Sequence, residues 1–162
     1  MKQIVLSLLV DNNPGVLARV SSLFARRGYN IDSVSSGTTN NPRYSRITVA
    51  VSGDDQILEQ IRNQINKLVD VKKVIQLDDN QSVGRELVLI KVMTDKKDKQ
   101  DIIAIADIFR AKIVDVSPNS LMIELTGNQN KLDAFLTLMA DYEVLEIVRT
   151  GLTGLERGIS NL

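Results

Sequence analysis

One order of periodicities, strand, helix, strand, strand, helix, strand, runs through the first half of this 162-residue chain and then runs again. Ile4 to Val10 (IVLSLLV) is apolar on both faces, with Ile4, Leu6, Leu8 and Val10 on one side and Val5 and Leu9 on the other, which suits a central strand. Val16, Leu17, Val20, Leu23 and Phe24 recur at helical spacing, and Gly28 is placed to stop that helix. Tyr29 to Thr38 is a weaker strand with Gly37 as the expected bulge, and Thr39-Asn40-Asn41-Pro42 has turn chemistry. Ser45 to Val51 alternates, with Ile47, Val49 and Val51 on one face and Arg46, Thr48 and Ala50 on the other. Gly53-Asp54-Asp55 opens a helix striped by Ile57, Leu58, Ile61, Ile65 and Leu68, and Val71 to Leu77 is the fourth strand.

The second pass is strand Glu86 to Thr94, helix Gln100 to Ala111, a hairpin of Ile113 to Val116 and Leu121 to Leu125, helix Asn130 to Ala140 and strand Val144 to Arg149. The aperiodic polar patch Asp78 to Ser82 separates the passes, giving a first domain over residues 1–77, a linker over 78–84 and a second domain over 85–162. Each pass fits a ferredoxin-like βαββαβ unit, an α+β fold with helices on one face of an antiparallel sheet. The opposite sheet face, bearing Val5, Leu9 and Ala50 in the first unit, is expected to be wet in an isolated unit. The second strand is expected at a sheet edge with unpaired backbone groups. Both features predict a homodimer.

The chain contains no cysteine and no histidine, which removes disulfides, thiolate chemistry, imidazole bases and the usual zinc ligands. Lys+Arg and Asp+Glu are both 20, so no net field selects a nucleic acid. The halves differ, with ten cations against six acids over 1–76 and ten against fourteen over 77–162. No apolar run approaches membrane length and the opening one is too short for a signal peptide, so a cytoplasmic protein with no membrane contact is expected.

The most chemically suggestive stretch is the turn Asp11-Asn12-Asn13-Pro14-Gly15 between the first strand and the first helix. Its Asp and Asn side chains are able to cap, Pro14 presets a helical φ, and Gly15 permits close backbone approach. A helix N-terminus left open there carries about half a positive charge and unpaired N–H donors suited to a carboxylate.

The run DNNPGVLARVSSLFARRGYNIDS, Asp11 to Ser33, resembles the opening of an ACT domain, the ligand-sensing module of amino-acid metabolism. More narrowly, the chain resembles the regulatory small subunit of acetolactate synthase, also called acetohydroxyacid synthase. NNPRYSRITV, LEQIRNQINKLVDV, VGREL, FRAKIVDVSP, KLDAF and GLTGLERG carry that resemblance in order along nearly the whole chain. The resemblance implies an N-terminal ACT domain that pairs with a second copy, a C-terminal ACT-like domain and no catalytic site of its own. It implies a catalytic subunit as partner, with thiamine diphosphate, magnesium and FAD belonging to that partner. It further implies activation of that subunit and feedback inhibition by a branched-chain amino acid, usually valine.

By match to the family's pattern, the N–H groups of Gly15 and Val16 would receive the ligand carboxylate, Asn12 would hydrogen-bond the ligand, and Leu17 would line its apolar pocket beside Pro14. Asn30, with Ile31 beside it, would reach the same ligand from the partner chain. Three other readings compete. An RNA-recognition module needs aromatics exposed on central strands, whereas Phe24, Phe109 and Phe135 fall on helical core stripes. An acylphosphatase-like hydrolase would need Arg19 in the turn, and it falls inside the helix. A standalone amino-acid sensor or transcription regulator would keep the ligand turn without the synthase partner.

Overall fold

The computed structural model describes residues 1–159, so residues 160–162 of the predicted second domain lie outside the described residues. The chain forms two compact units, one of Met1–Gly84 joined by the segment from Leu152, the other of Arg85–Gly151.

In the first unit, β1 (Lys2–Asp11), α1 (Val16–Arg27), β2 (Ile31–Thr38), β3 (Tyr44–Gly53), α2 (Asp55–Asn66) and β4 (Val71–Leu77) follow the predicted order. The antiparallel sheet runs β2-β3-β1-β4, so the doubly apolar β1 is central and β2 is an edge. The core joins Leu6, Leu8 and Val10 of β1 to Val20 and Phe24 of α1 and Ile61 and Ile65 of α2. Helix α1 stops at Gly28, whose φ of 68° is left-handed and whose N–H turns back to Ala25 O. Helix α2 starts on Asp54, whose side chain accepts from Ile57 N. The irregularity predicted at Gly37 falls instead between Ile31 and Ser33, and Gly37 stays in register opposite Arg46.

In the second unit, β5 (Ser82–Met93), α3 (Asp98–Ile108), β6 (Lys112–Ser117), β7 (Ser120–Gly127), α4 (Gln129–Met139) and β8 (Val144–Arg149) repeat the pattern with sheet order β6-β7-β5-β8. Val88, Ile90 and Val92 pack against Ile102, Ala106, Leu132 and Met139, and Phe109 meets Phe135 edge-on at 5.4 Å. Helix α3 begins two residues before the expected Gln100, because Asp95 Oδ1 accepts from the N–H groups of Lys97 and Asp98. Glu86, buried at 4% exposure, is held by both arms of Arg149, at 2.7 and 2.9 Å.

One element was not foreseen. After β8 the chain returns to the first unit as β9 (Thr153–Glu156), which pairs with β5, and Arg157 N–H donates to Gln81 O at 2.7 Å. The expected linker is correspondingly short, since β5 already begins at Ser82. The segment from Leu152, placed by the sequence in the second domain, therefore groups with the first. It lies on the sheet face opposite the helices. Ser33 and Ser35 of β2 pair across from Ala50 and Thr48, and Leu77 pairs with Val5, which sets all six on that face. Leu152 donates to Ser33 Oγ and accepts from Ser35 Oγ, both at 3.4 Å. A Cβ on Gly154 would stand 2.9 Å from Leu77 Cδ1. The face expected to be wet is consequently closed around its centre: Ser7, Thr48 and Ala50 are buried, and Val5 and Leu9 are half-buried.

Candidate ligand turn at the start of the first helix

Two neighbouring strands hold the turn in place. Asp11 N–H donates to Asp70 O and Asn12 N–H to Arg43 O, which ties the end of β1 to the residue before β4 and to the entry of β3. Asn12 also works through its amide, with Nδ2 donating to Pro42 O at 3.0 Å and Oδ1 accepting from Ser45 Oγ at 3.0 Å. One amide hydrogen and one lone pair of Asn12 remain for a ligand.

Gly15 is the N-cap of α1, with φ 82° in the left-handed region, and among the described residues no side chain caps the helix start. The expected capping by Asp11, Asn12 or Asn13 side chains is thus absent, and those side chains face the strands or solvent. Val16 N–H makes only a long 3.4 Å contact with Asn13 O, and the first full helical bond runs from Arg19 N–H to Gly15 O. The first turn contains no acid, so the partial positive charge of the helix end is not neutralised from within α1. Pro14, Gly15 and Leu17 are exposed; Val16 turns its side chain into the core and offers its backbone alone.

Two ion pairs flank the turn. Arg19 Nε donates to Asp70 Oδ2 at 2.6 Å, and Lys72 Nζ lies 3.1 Å from Asp11 Oδ2. The Arg19 hydrogen bond holds the Asp70 carboxyl below its ordinary range and raises the guanidinium in turn. A Cβ on Gly15 would sit 3.0 Å from Arg19 Nη1, so Arg19 arches over the glycine. Sequence reasoning placed Arg19 inside the helix and gave it no partner; its position four after Gly15, one helical turn on, was the available signal.

Of the seven residues singled out, Asn12, Pro14, Gly15, Val16 and Leu17 are brought together by this turn. Asn30 and Ile31 are not. They follow the far end of α1, whose 12 residues span about 18 Å, and no single small ligand on one chain reaches both groups. Asn30 is exposed, while Ile31 packs partly against the first core at the start of edge strand β2. Among the described residues there is no cluster of His, Cys, Asp and Glu able to hold a metal, and no helix is long and apolar enough to cross a membrane.

The chain is similar to known proteins over nearly its whole length. Residues 6–73 match the family model of the AHAS small subunit-like ACT domain, and residues 85–158 match that of the small subunit of acetolactate synthase. An acetolactate synthase small subunit of Mycolicibacterium smegmatis is 49% identical over 153 residues, covering 94% of this chain and 90% of its own. One from Haemophilus influenzae is 45% identical over 159 residues, 98% of each chain. The crystal structure of the acetolactate synthase small subunit from Thermotoga maritima superposes with a TM-score of 0.89 at 44% identity, over 99% of this chain and 100% of that one.

Proposed function

The chain belongs to the family of acetolactate synthase small subunits, and from that membership we propose that it is a valine-sensing activator of its catalytic subunit in branched-chain amino acid biosynthesis. In this reading it works as a cytoplasmic homodimer. It binds a thiamine-diphosphate-dependent catalytic subunit, to which magnesium and FAD also belong, raises the activity of that subunit, and makes it answer to valine.

The observation that carries the ligand side of this reading is the uncapped, acid-free start of α1 at Gly15. A bound amino acid needs its carboxylate met by donors, its ammonium met by acceptors and its side chain kept dry. The backbone N–H groups of Gly15 and Val16 meet the carboxylate, the spare lone pair of Asn12 accepts from the ammonium, and Leu17 with Pro14 walls the side chain. Asn30 and Ile31 of the same chain stand about 18 Å off, so in a dimer they complete the site only from the other copy. A ligand that bridges two chains favours one arrangement of the pair over another, and the catalytic subunit responds to that shift.

The test mixes the purified chain with its catalytic subunit and follows acetolactate formation with and without valine. Activation together with valine inhibition is the expected result. Absence of activation would sink the reading, and valine binding without any effect on synthesis would point to a standalone sensor.

A further inference from the structure

At the other end of α1 the first unit carries a second feature that the ligand reading leaves unused. Leu23, Arg26, Arg27, Gln64, Lys67 and Leu68 line an open basin of about 450 Å³ where the C-terminal ends of α1 and α2 converge on the helical face. Three cations and no acid surround it. None of the three enters an ion pair among the described residues; Arg26 makes only a long 3.4 Å bond from Nε to Ser22 O on its own helix. Cations at helix C-termini ordinarily offset the helix dipole, but two helix ends amount to about one negative charge, so about two positive charges are left over. The floor is apolar, with Leu23 buried and Leu68 half-buried, and Val69 stands beside it at 85% exposure. Exposed charge without partners around an apolar floor is the composition of a docking surface.

We propose that this basin docks an acidic segment of the catalytic subunit, its carboxylates meeting Arg26, Arg27 and Lys67 and an apolar side chain resting on Leu68 and Val69. The assignment rests on the regulatory reading above. A compact anion such as phosphate suits the site less well, because helix C-termini present carbonyl oxygens rather than N–H donors. Carboxylates spread along a segment meet cations around the rim and leave the floor for carbon. Electrostatic complementarity of this kind acts mainly on encounter rate and specificity, and salt weakens it.

The measurement is association of the full chain with the purified catalytic subunit, by sedimentation or surface binding, at low and high ionic strength. Arg26→Gln/Arg27→Gln/Lys67→Gln is expected to weaken association about tenfold at low salt, with the gap closing at high salt. The control Lys96→Gln/Lys97→Gln/Lys112→Gln removes equal charge from the second unit and is expected to stay within about twofold. Val69→Asp, at an exposed turn residue that does not disturb the core, tests the apolar contact separately and is expected to weaken association about fivefold or more. Unchanged association of both basin variants overturns the proposal, as does equal weakening by the control. Pyrophosphate binding, seen by calorimetry and abolished in the triple variant while association is untouched, assigns the basin to a small anion and overturns it too. Failure of the unaltered chain to associate overturns the regulatory reading itself and removes the partner on which this surface depends.

Discussion

Gly15 holds φ at 82° with the Arg19 guanidinium arched over it, and that guanidinium is fixed by Asp70. Gly15→Ala is therefore expected to cost about 1–2 kcal/mol in urea unfolding, the ordinary penalty of a left-handed non-glycine residue, and to weaken valine binding measured by calorimetry. Unchanged valine affinity in a folded Gly15→Ala variant would remove this turn from the site. Asp70 gives a pH prediction. Its carboxyl is lowered, first by the Arg19 hydrogen bond, so the stability it confers is full above the unfolded value near 3.8 and is lost as pH falls through the depressed folded value. Asp95, lowered by the N–H groups of Asp98 and Lys97, acts in the same direction. Arg19→Ala should be less stable than the unaltered chain at neutral pH, with the difference shrinking below about pH 4 in acid titrations of unfolding. The sequence made Gly15 legible, because a glycine between proline and a helical stripe has few other uses. It hid the Arg19–Asp70 pair, whose members lie 51 residues apart and meet only once β4 is beside β1.

Helices and central strands were readable because each carries a continuous apolar stripe: Val20, Leu23 and Phe24, or Leu58, Ile61 and Ile65, name their own core face. Strand β9 was not readable. Its four residues, Thr153–Glu156, contain a glycine and a charge, and it exists because Gly154 lets the backbone settle against Leu77 and Val83. A Cβ there would meet Leu77 Cδ1 at 2.9 Å and Val83 O at 3.1 Å. Gly154→Val should cost about 1–3 kcal/mol as an overpacked site and speed amide exchange in β9. Normal stability and unchanged exchange would mean that β9 is not held there. In the second unit the fork between Arg149 and Glu86 closes the end of β5 against β8. Arg149→Leu leaves a buried carboxylate without its partner; with the Arg149 side chain itself 37% exposed, the loss should be about 2–3 kcal/mol in urea, below the range for fully buried pairs. Adding Glu86→Gln should recover part of it, and no recovery would assign the cost to packing.

At the scale of the whole molecule, the twofold βαββαβ order was legible from periodicity, while the grouping of the chain into units was not, since that depends on where the chain goes after β8. The same return changes the case for a dimer. The first sheet no longer needs a second copy over its outer face, and β2, an unpaired edge beginning beside Asn30, is the feature that still calls for one. Under the proposed function, couplings between sites are typically about 1–3 kcal/mol, whereas full reversal of a two-state balance requires about 5.5 kcal/mol. Saturating valine is therefore expected to leave measurable acetolactate synthesis, and complete inhibition in steady-state assays would contradict a simple population shift. The return of the chain also bears on how the protein is made. A nascent chain emerges N-terminus first, so the ribosome has to deliver the entire second unit before Leu152 exists to be laid on Ser33 and Ser35. Until then the face around Ala50 and Leu77 stays open to solvent, and the first unit to be synthesised is the last to be sealed.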